Sequence, residues 1–287
     1  MSGQAKATAT RTIEKQIEID APVEAVWKAL TEGEELARWF PLEARVELRI
    51  GGNFFISWGP HCEGEGKIHL LETNRRFGWL EPAPPSPDAQ PGDAPLTAAV
   101  EWILERRGGK TVLRLVNSGI AAADWALEYF ESLDYGWAFM LANLRFYLEQ
   151  HRGSPRGVAW PRRKVQMPRE AAWKQLLASP AFREIIELLP RLQGEACRVR
   201  LAGDSFDGSV EFVVPPKGFC IRANQLNGSL LWLSLEGGAQ QTEVGFWLSA
   251  YGVRSAELAA FEKRWVAALE TIFPEGQSAT LAISQVE

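Results

Sequence analysis

Asp124-Trp-Ala-Leu-Glu-Tyr-Phe130-Glu-Ser-Leu-Asp-Tyr-Gly-Trp137-Ala-Phe-Met-Leu141-Ala-Asn-Leu-Arg-Phe-Tyr-Leu148-Glu-Gln-His151 decides how the rest of the chain is read. Ala126, Phe130, Leu133, Trp137, Leu141, Leu144 and Leu148 recur at steps of three and four. That spacing places them on one face of a helix about seven turns long. A carboxylate at Asp124 suits the helix start, where free N–H groups and the positive end of the dipole meet it. Gly153 and Pro155 end the helix. Each large side chain on the stripe contributes roughly 1.5–3 kcal/mol on burial, so the stripe needs a partner. The strands before it are the nearest one, and the shape expected is a curved sheet gripping a long helix.

Those strands are read from alternation. In Thr12 to Asp20, Ile13, Ile17 and Ile19 share one face while Glu14, Gln16 and Glu18 share the other. Pro22 opens a helix carrying Val23, Val26, Trp27 and Leu30, and a second short helix covers 34–40 before Pro41. Six more strands follow near 43–49, 52–58, 64–72, 76–81, 96–105 and 110–117, with Gly51-Gly52 and Gly108-Gly109 as turns. The Pro-rich run from 82 to 95 lacks N–H donors and cannot enter the sheet. Strands flank it on both sides, so it reads as a surface loop inside one domain.

After a Gly- and Pro-bearing linker at 152–159 the pattern restarts. Pro22-Val-Glu-Ala-Val-Trp-Lys-Ala-Leu30 is echoed by Pro168-Arg-Glu-Ala-Ala-Trp-Lys-Gln-Leu176, with six of nine positions identical. Leu258, Phe261, Trp265, Leu269 and Ile272 repeat the spacing of Phe130, Leu133, Trp137, Leu141 and Leu144. The echo reads as a duplicated domain, with strands near 162–167, 195–202, 207–214, 218–224, 229–236 and 242–251. In the last strand Val244, Phe246 and Leu248 share one face. Trp247 and Tyr251 lie on the other, where Trp232 joins them, and such an aromatic convex face is expected to be covered by the first domain or another subunit.

Composition excludes several classes of function. The chain has 287 residues, enough for two domains, and its 46% hydrophobic content supports a core in each. A net charge of −5 with no Lys/Arg run argues against nucleic acid and anionic membrane as partners. Cys62, Cys197 and Cys220 are odd in number and far apart, so reduced thiols in the cytoplasm are expected. No secretion signal, membrane span, P-loop, dinucleotide fingerprint or Gly-x-Ser-x-Gly elbow is read. The three histidines leave little material for a catalytic triad or a His-rich metal centre, so neither a catalytic residue, a metal ligand nor a cofactor is assigned. His61, Glu63 and Glu65 alternate and would share a strand face, but Gly59-Pro60 and Gly64 place them at a loop edge, where such groups are usually only solvated.

Several motifs resemble a known family. Ala21-Pro-Val-Glu-Ala-Val-Trp-Lys-Ala-Leu-Thr31, Leu36-Ala-Arg-Trp-Phe-Pro41 and Glu47-Leu-Arg-Ile-Gly-Gly-Asn-Phe54 resemble the opening of the helix-grip superfamily called SRPBCC or START-like. The subgroup is the one named for the activator of the heat-shock-protein-90 ATPase. Thr111 to Gly119 and Gly136 to Leu148 resemble its last strand and closing helix. The resemblance implies an α+β fold in two tandem copies, 11–151 complete and 160–275 degenerate, each a curved antiparallel sheet wrapped on a long C-terminal helix. It also implies an apolar cavity between sheet and helix, which holds lipids, hormones or polyketides in the wider superfamily, where a few members are cyclases or hydrolases. Asn117 stands where many members carry a His.

Trp58, Trp79, Trp102 and Trp137 are expected to face that space, with Asn117 as the polar group among them. Such a lining suits a small flat apolar ligand; the same rings could equally fill the core. Three functions follow: binding of a hydrophobic or aromatic ligand, a chaperone-associated or scaffolding protein with a filled core, and a cyclase- or hydrolase-type enzyme.

Overall fold

The computed structural model describes residues 9–59, 62–89, 95–182 and 192–280. Contacts divide the chain into two units, Met1–Arg152 and Gly153–Glu287.

In the first unit, β1 (Thr10–Ile19), α1 (Val23–Thr31) and α2 (Gly33–Ala37) precede β2 (Glu43–Val46), β3 (Asn53–Ser57), β4 (Glu63–Glu72), β5 (Arg76–Pro82), β6 (Thr97–Arg107) and β7 (Lys110–Ala121). A 3₁₀ turn, Asp124–Ala126, leads into α3 (Leu127–Gln150). The seven strands form one sheet in the order β1-β7-β6-β5-β4-β3-β2, every pair antiparallel. The first strand shows why the sheet has an inside. Ile13 and Ile19 are buried, while the outward Glu14 and Glu18 pair with Arg114 and Lys110 of β7 at 2.8 and 3.1 Å. On the inward side Arg11 lies over the Phe130 ring at 5.6 Å, Lys15 meets Asp134 at 2.7 Å, and Glu149 accepts the Asp20 N–H at 2.9 Å. These contacts lay α3 along β1.

Three details differ from expectation. The helix begins at Leu127 rather than Asp124, and the side chain of Asp124 makes no capping hydrogen bond. The intervening 3₁₀ turn displaces its carboxylate from the free N–H groups of α3. β2 stops at Val46 because Glu47 leaves the ladder to hold the turn: its carboxylate accepts both the Asn53 N–H (3.1 Å) and the Asn53 side-chain amide (3.0 Å). β7 runs on to Ala121, four residues past the expected end, because β1 remains beside it as a pairing partner. The Pro-rich segment lies within the first unit. The Ala83 N–H donates to Leu96 carbonyl at 2.8 Å, carrying the β5–β6 hairpin one step beyond the strands. Residues 90–94 of that segment lie outside the described residues.

The second unit repeats the order of strand, helix, strands, helix. It contains β8 (Arg156–Ala159), β9 (Pro161–Val165), α4 (Arg169–Ala178), β10 (Ala196–Leu201), β11 (Asp204–Val214), β12 (Gly218–Ala223), β13 (Ser229–Gly237), β14 (Thr242–Tyr251), α5 (Ser255–Ile272) and β15 (Gln277–Thr280). The sheet order is β10-β11-β12-β13-β14-β9-β15, with β8 also paired to β14. Leu258, Phe261, Trp265, Leu269 and Ile272 of α5 all enter one core with Val244, Phe246 and Leu248. Trp232, Trp247 and Tyr251 are buried but stand outside that core, and Trp247 meets Trp160 at 4.5 Å. The sheet extends beyond 160–275 at both ends. Residues 156–159, expected as linker, form β8 instead, and β15 is held where Arg163 donates to Ser278 Oγ (2.6 Å) and Pro274 carbonyl (2.9 Å).

Candidate functional site: an aromatic floor and an inward carboxyl

Strand alternation aims Phe54, Ile56, Ile68, Phe77, Trp79, Val100 and Trp102 toward α3, and all of them are buried. Asn117 sits among them at 0% exposure. Its amide donates to Ala99 carbonyl and its Oδ1 accepts the Trp137 indole N–H, both at 3.1 Å. Asn117 thus satisfies a buried strand carbonyl and fixes the tilt of the Trp137 ring.

That ring lies at the centre of a lattice. Trp137 stacks on Phe40 at 5.4 Å and meets Trp102 edge-on at 5.5 Å. Phe40 also stacks on Trp39 at 5.1 Å and takes Trp58 edge-on at 5.2 Å. Trp39 closes the circuit against Trp102 at 6.2 Å and donates its N–H to Ala29 carbonyl at 2.8 Å. Both stacked and edge-on pairs at these separations are favourable. Trp79 belongs to a second ring group: it stacks on Phe54 at 4.0 Å, and Phe77 joins both. Of the five residues expected to line a ligand space, Trp102, Asn117 and Trp137 come together directly. Trp58 reaches them through Phe40, and Trp79 stands in the neighbouring group. Between them these rings make a floor across the grip.

Two polar groups that sequence reading passed over, Glu81 and Tyr129, adjoin the Trp79 group. Glu81 follows Trp79 by two residues on β5, so it shares the inward face. The Trp79 N–H donates to its carboxylate at 2.8 Å. Burial pushes the Glu81 carboxyl above the usual carboxylate range, opposed by that N–H. Tyr129, in the first turn of α3, has its phenol pushed up to about 12, first by burial and then by the Glu81 charge. The Tyr129 phenol thus lies near enough to Glu81 to feel its charge. Tyr129, Phe130, Leu133 and Trp58 are half-buried. The signal for Glu81 was available: a charged residue in phase with Trp79 at the end of an inward row.

A cleft of about 580 Å³ has Asn53, Phe55, Glu65, Lys67, Leu80 and Glu81 in its lining. Asn53, Phe55, Glu65, Lys67 and Leu80 alternate with Phe54, Gly66 and Trp79 and so belong to the outer face of the sheet, whereas Glu81 is in phase with Trp79. Of the His61, Glu63 and Glu65 group, His61 lies outside the described residues. Among the described residues no group of three or more His, Cys, Asp or Glu side chains could hold a metal ion. Cys197 and Cys220 are buried, Cys62 is half-buried, and none of the three is in a disulfide. Among the described residues no helix is long and apolar enough to cross a membrane.

Residues 20–149 match the family described as activator of Hsp90 ATPase homolog 1-like protein. No curated protein matches the chain. Among solved structures, a protein from Mesorhizobium loti is 22% identical with a TM-score of 0.41, over 49% of this chain and 98% of its own. The Aha1 dimer from Colwellia psychrerythraea is 22% identical with a TM-score of 0.41, over 50% of this chain and 99% of its own. DynU16, a protein of the dynemicin biosynthetic locus, is 16% identical with a TM-score of 0.41, over 92% of this chain and 96% of its own. The matched residues run from Asp20, just after β1, to Glu149 in the last turn of α3, so the first unit is similar to the activator of Hsp90 ATPase homolog 1-like family.

Proposed function

We propose that the first unit binds a small, flat, largely apolar molecule between the sheet and the first turns of α3. The observation that carries this reading is the position of Glu81. A carboxyl on the inward face of a sheet costs free energy unless it is used, and this one accepts the Trp79 N–H and lies near enough to Tyr129 of α3 for its charge to raise the phenol. An aromatic surface with one or two polar groups near it is the usual make-up of a small-molecule site. The site residues are Trp58, Trp79 and Trp137 as ring surface, Glu81 and Tyr129 as polar groups, and Asn117 and Trp102 as the support that fixes Trp137.

The ring lattice also favours a second reading, a scaffold with its core already filled. The two are separated by native mass spectrometry of freshly purified protein with extraction of any released molecule, together with quenching of tryptophan emission by the neutral planar compound acridine. Saturable quenching that is lost in Leu133→Trp, where the new ring would occupy the space, supports the binding reading. No released molecule and no saturable quenching would overturn it in favour of the scaffold.

A further inference from the structure

The cleft on the outer face of the first sheet takes no part in the inner site except through Glu81, whose carboxyl is committed to the Trp79 N–H. Strand pairing fixes what stands where in it. Asn53 of β3, Lys67 of β4 and Leu80 of β5 lie side by side in one row, and Phe55 pairs with Glu65 in the next. Glu65 and Lys67 are thus the charges at its centre, two residues apart on one face of β4, which places them about 7 Å apart along the strand.

These two charges do not satisfy each other. The Lys67 ammonium donates to Asn53 Oδ1 across the ladder. Asn53 is itself oriented by Glu47, which accepts its backbone N–H and its side-chain amide. The ammonium is therefore drawn sideways toward β3 instead of along β4 to Glu65, and two of its three N–H donors are left over. The Glu65 carboxylate makes no hydrogen bond or ion pair among the described residues. Apolar surface flanks the pair: Phe55 is half-buried on the β3 side, Leu80 is 38% exposed on the β5 side, and Leu96 also lines the cleft.

Charge complementarity narrows the occupant. A simple anion at Lys67 is opposed by Glu65, and a simple cation at Glu65 is opposed by Lys67. A molecule with an ammonium at one end and a carboxylate at the other meets both charges favourably. Two extended peptide residues span about 7 Å, which matches the separation of the two side chains on β4. We propose that this cleft binds a zwitterion the size of a dipeptide, its ammonium at Glu65, its carboxylate at Lys67 and its apolar side chains against Phe55, Leu80 and Leu96.

The test is calorimetry on the full chain at pH 7 and low ionic strength with three probes: phenylalanyl-leucine, its N-acetyl form and its C-terminal amide. The free dipeptide should bind at least about threefold more tightly than either blocked form, the amount that one exposed ion pair supplies. Glu65→Gln should bring the free dipeptide down to the affinity of the N-acetyl form and leave the N-acetyl form unchanged. Lys67→Met should do the same with respect to the amide. Leu80→Ser removes an apolar contact common to all three probes and should weaken them alike. Equal affinity of the three probes for the unaltered protein, or indifference of the free dipeptide to both charge substitutions, would overturn the zwitterion assignment. Binding that ignores Leu80→Ser, or no binding at millimolar peptide, would overturn the cleft as the site. The probe series on the unaltered protein decides the charge assignment whether or not the variants fold.

Discussion

Asn117 shows how much one buried amide can hold. It serves Ala99 carbonyl on one side and the Trp137 indole on the other, with no exposure to water that could replace either partner. Asn117→Ala leaves a buried donor and a buried acceptor unmatched. The expected loss is about 2–4 kcal/mol in a denaturant titration, since each orphaned group costs about 1–3 kcal/mol. Trp137 would lose its fixed tilt, so the near-ultraviolet dichroism of the ring lattice should weaken as well. A loss below about 0.5 kcal/mol with unchanged dichroism would mean that the amide holds nothing. That Asn117 is inward was readable from its phase with Leu113 and Leu115. Its pairing with Trp137 was not, because the two meet only when the helix lies back across β7.

Among the elements, the closing helices were the most legible, since a long stripe of large apolar side chains permits few arrangements. Their ends were less so. Asp124 has the right chemistry for a cap but sits one 3₁₀ turn too early. β8 was hidden by its own glycine. Gly157 reads as loop punctuation, yet a Cβ there would meet Leu258 Cδ1 at 2.2 Å, so the glycine marks the close approach of α5 to the strand. Gly66 on β4 works in the same way inside the first unit. A Cβ at that position would lie 2.7 Å from Trp79 Cδ1 and 2.6 Å from Leu80 carbonyl. Gly66→Ala should therefore push the Trp79 ring off its place beside Phe54 and cost about 1–3 kcal/mol. A thermal melt together with the fluorescence of Trp79, read in a background where the other emission is subtracted, checks both. Full stability with unaltered emission would show that the strand yields instead of the ring.

For the whole molecule, the raised carboxyls of Glu81, Glu236 and Glu262 act in the same direction on stability. Glu236, on β13 opposite Glu243, is pushed up to about 7, first by burial and then by its acidic neighbour, with Arg162 and Arg169 pulling the other way. Glu81 is raised by burial. A group that binds its proton more firmly folded than unfolded favours folding below its unfolded value near 4.5, and that advantage is lost as pH rises through the folded value. The thermal midpoint is expected to fall by several degrees between about pH 5 and about pH 8, and Glu236→Gln should remove most of that slope. The lowered carboxyls of Glu24, Glu47 and Asp207 act with the opposite sign, but they are exposed and their effect lies below the ordinary carboxylate range. A midpoint that rises with pH across the same window would contradict the assignment.

Each sheet joins an early strand to a late one: Thr10 pairs with Ala121 in the first, and Arg156 pairs with Tyr251 in the second. During synthesis β1 leaves the ribosome long before the strand it needs, and closing so long a loop carries an entropic cost that slows assembly. A nascent chain arrested before β7 therefore presents β1 and β6 as open edges, free to pair with another copy, and the interval between those two strands is when the protein is most exposed to aggregation.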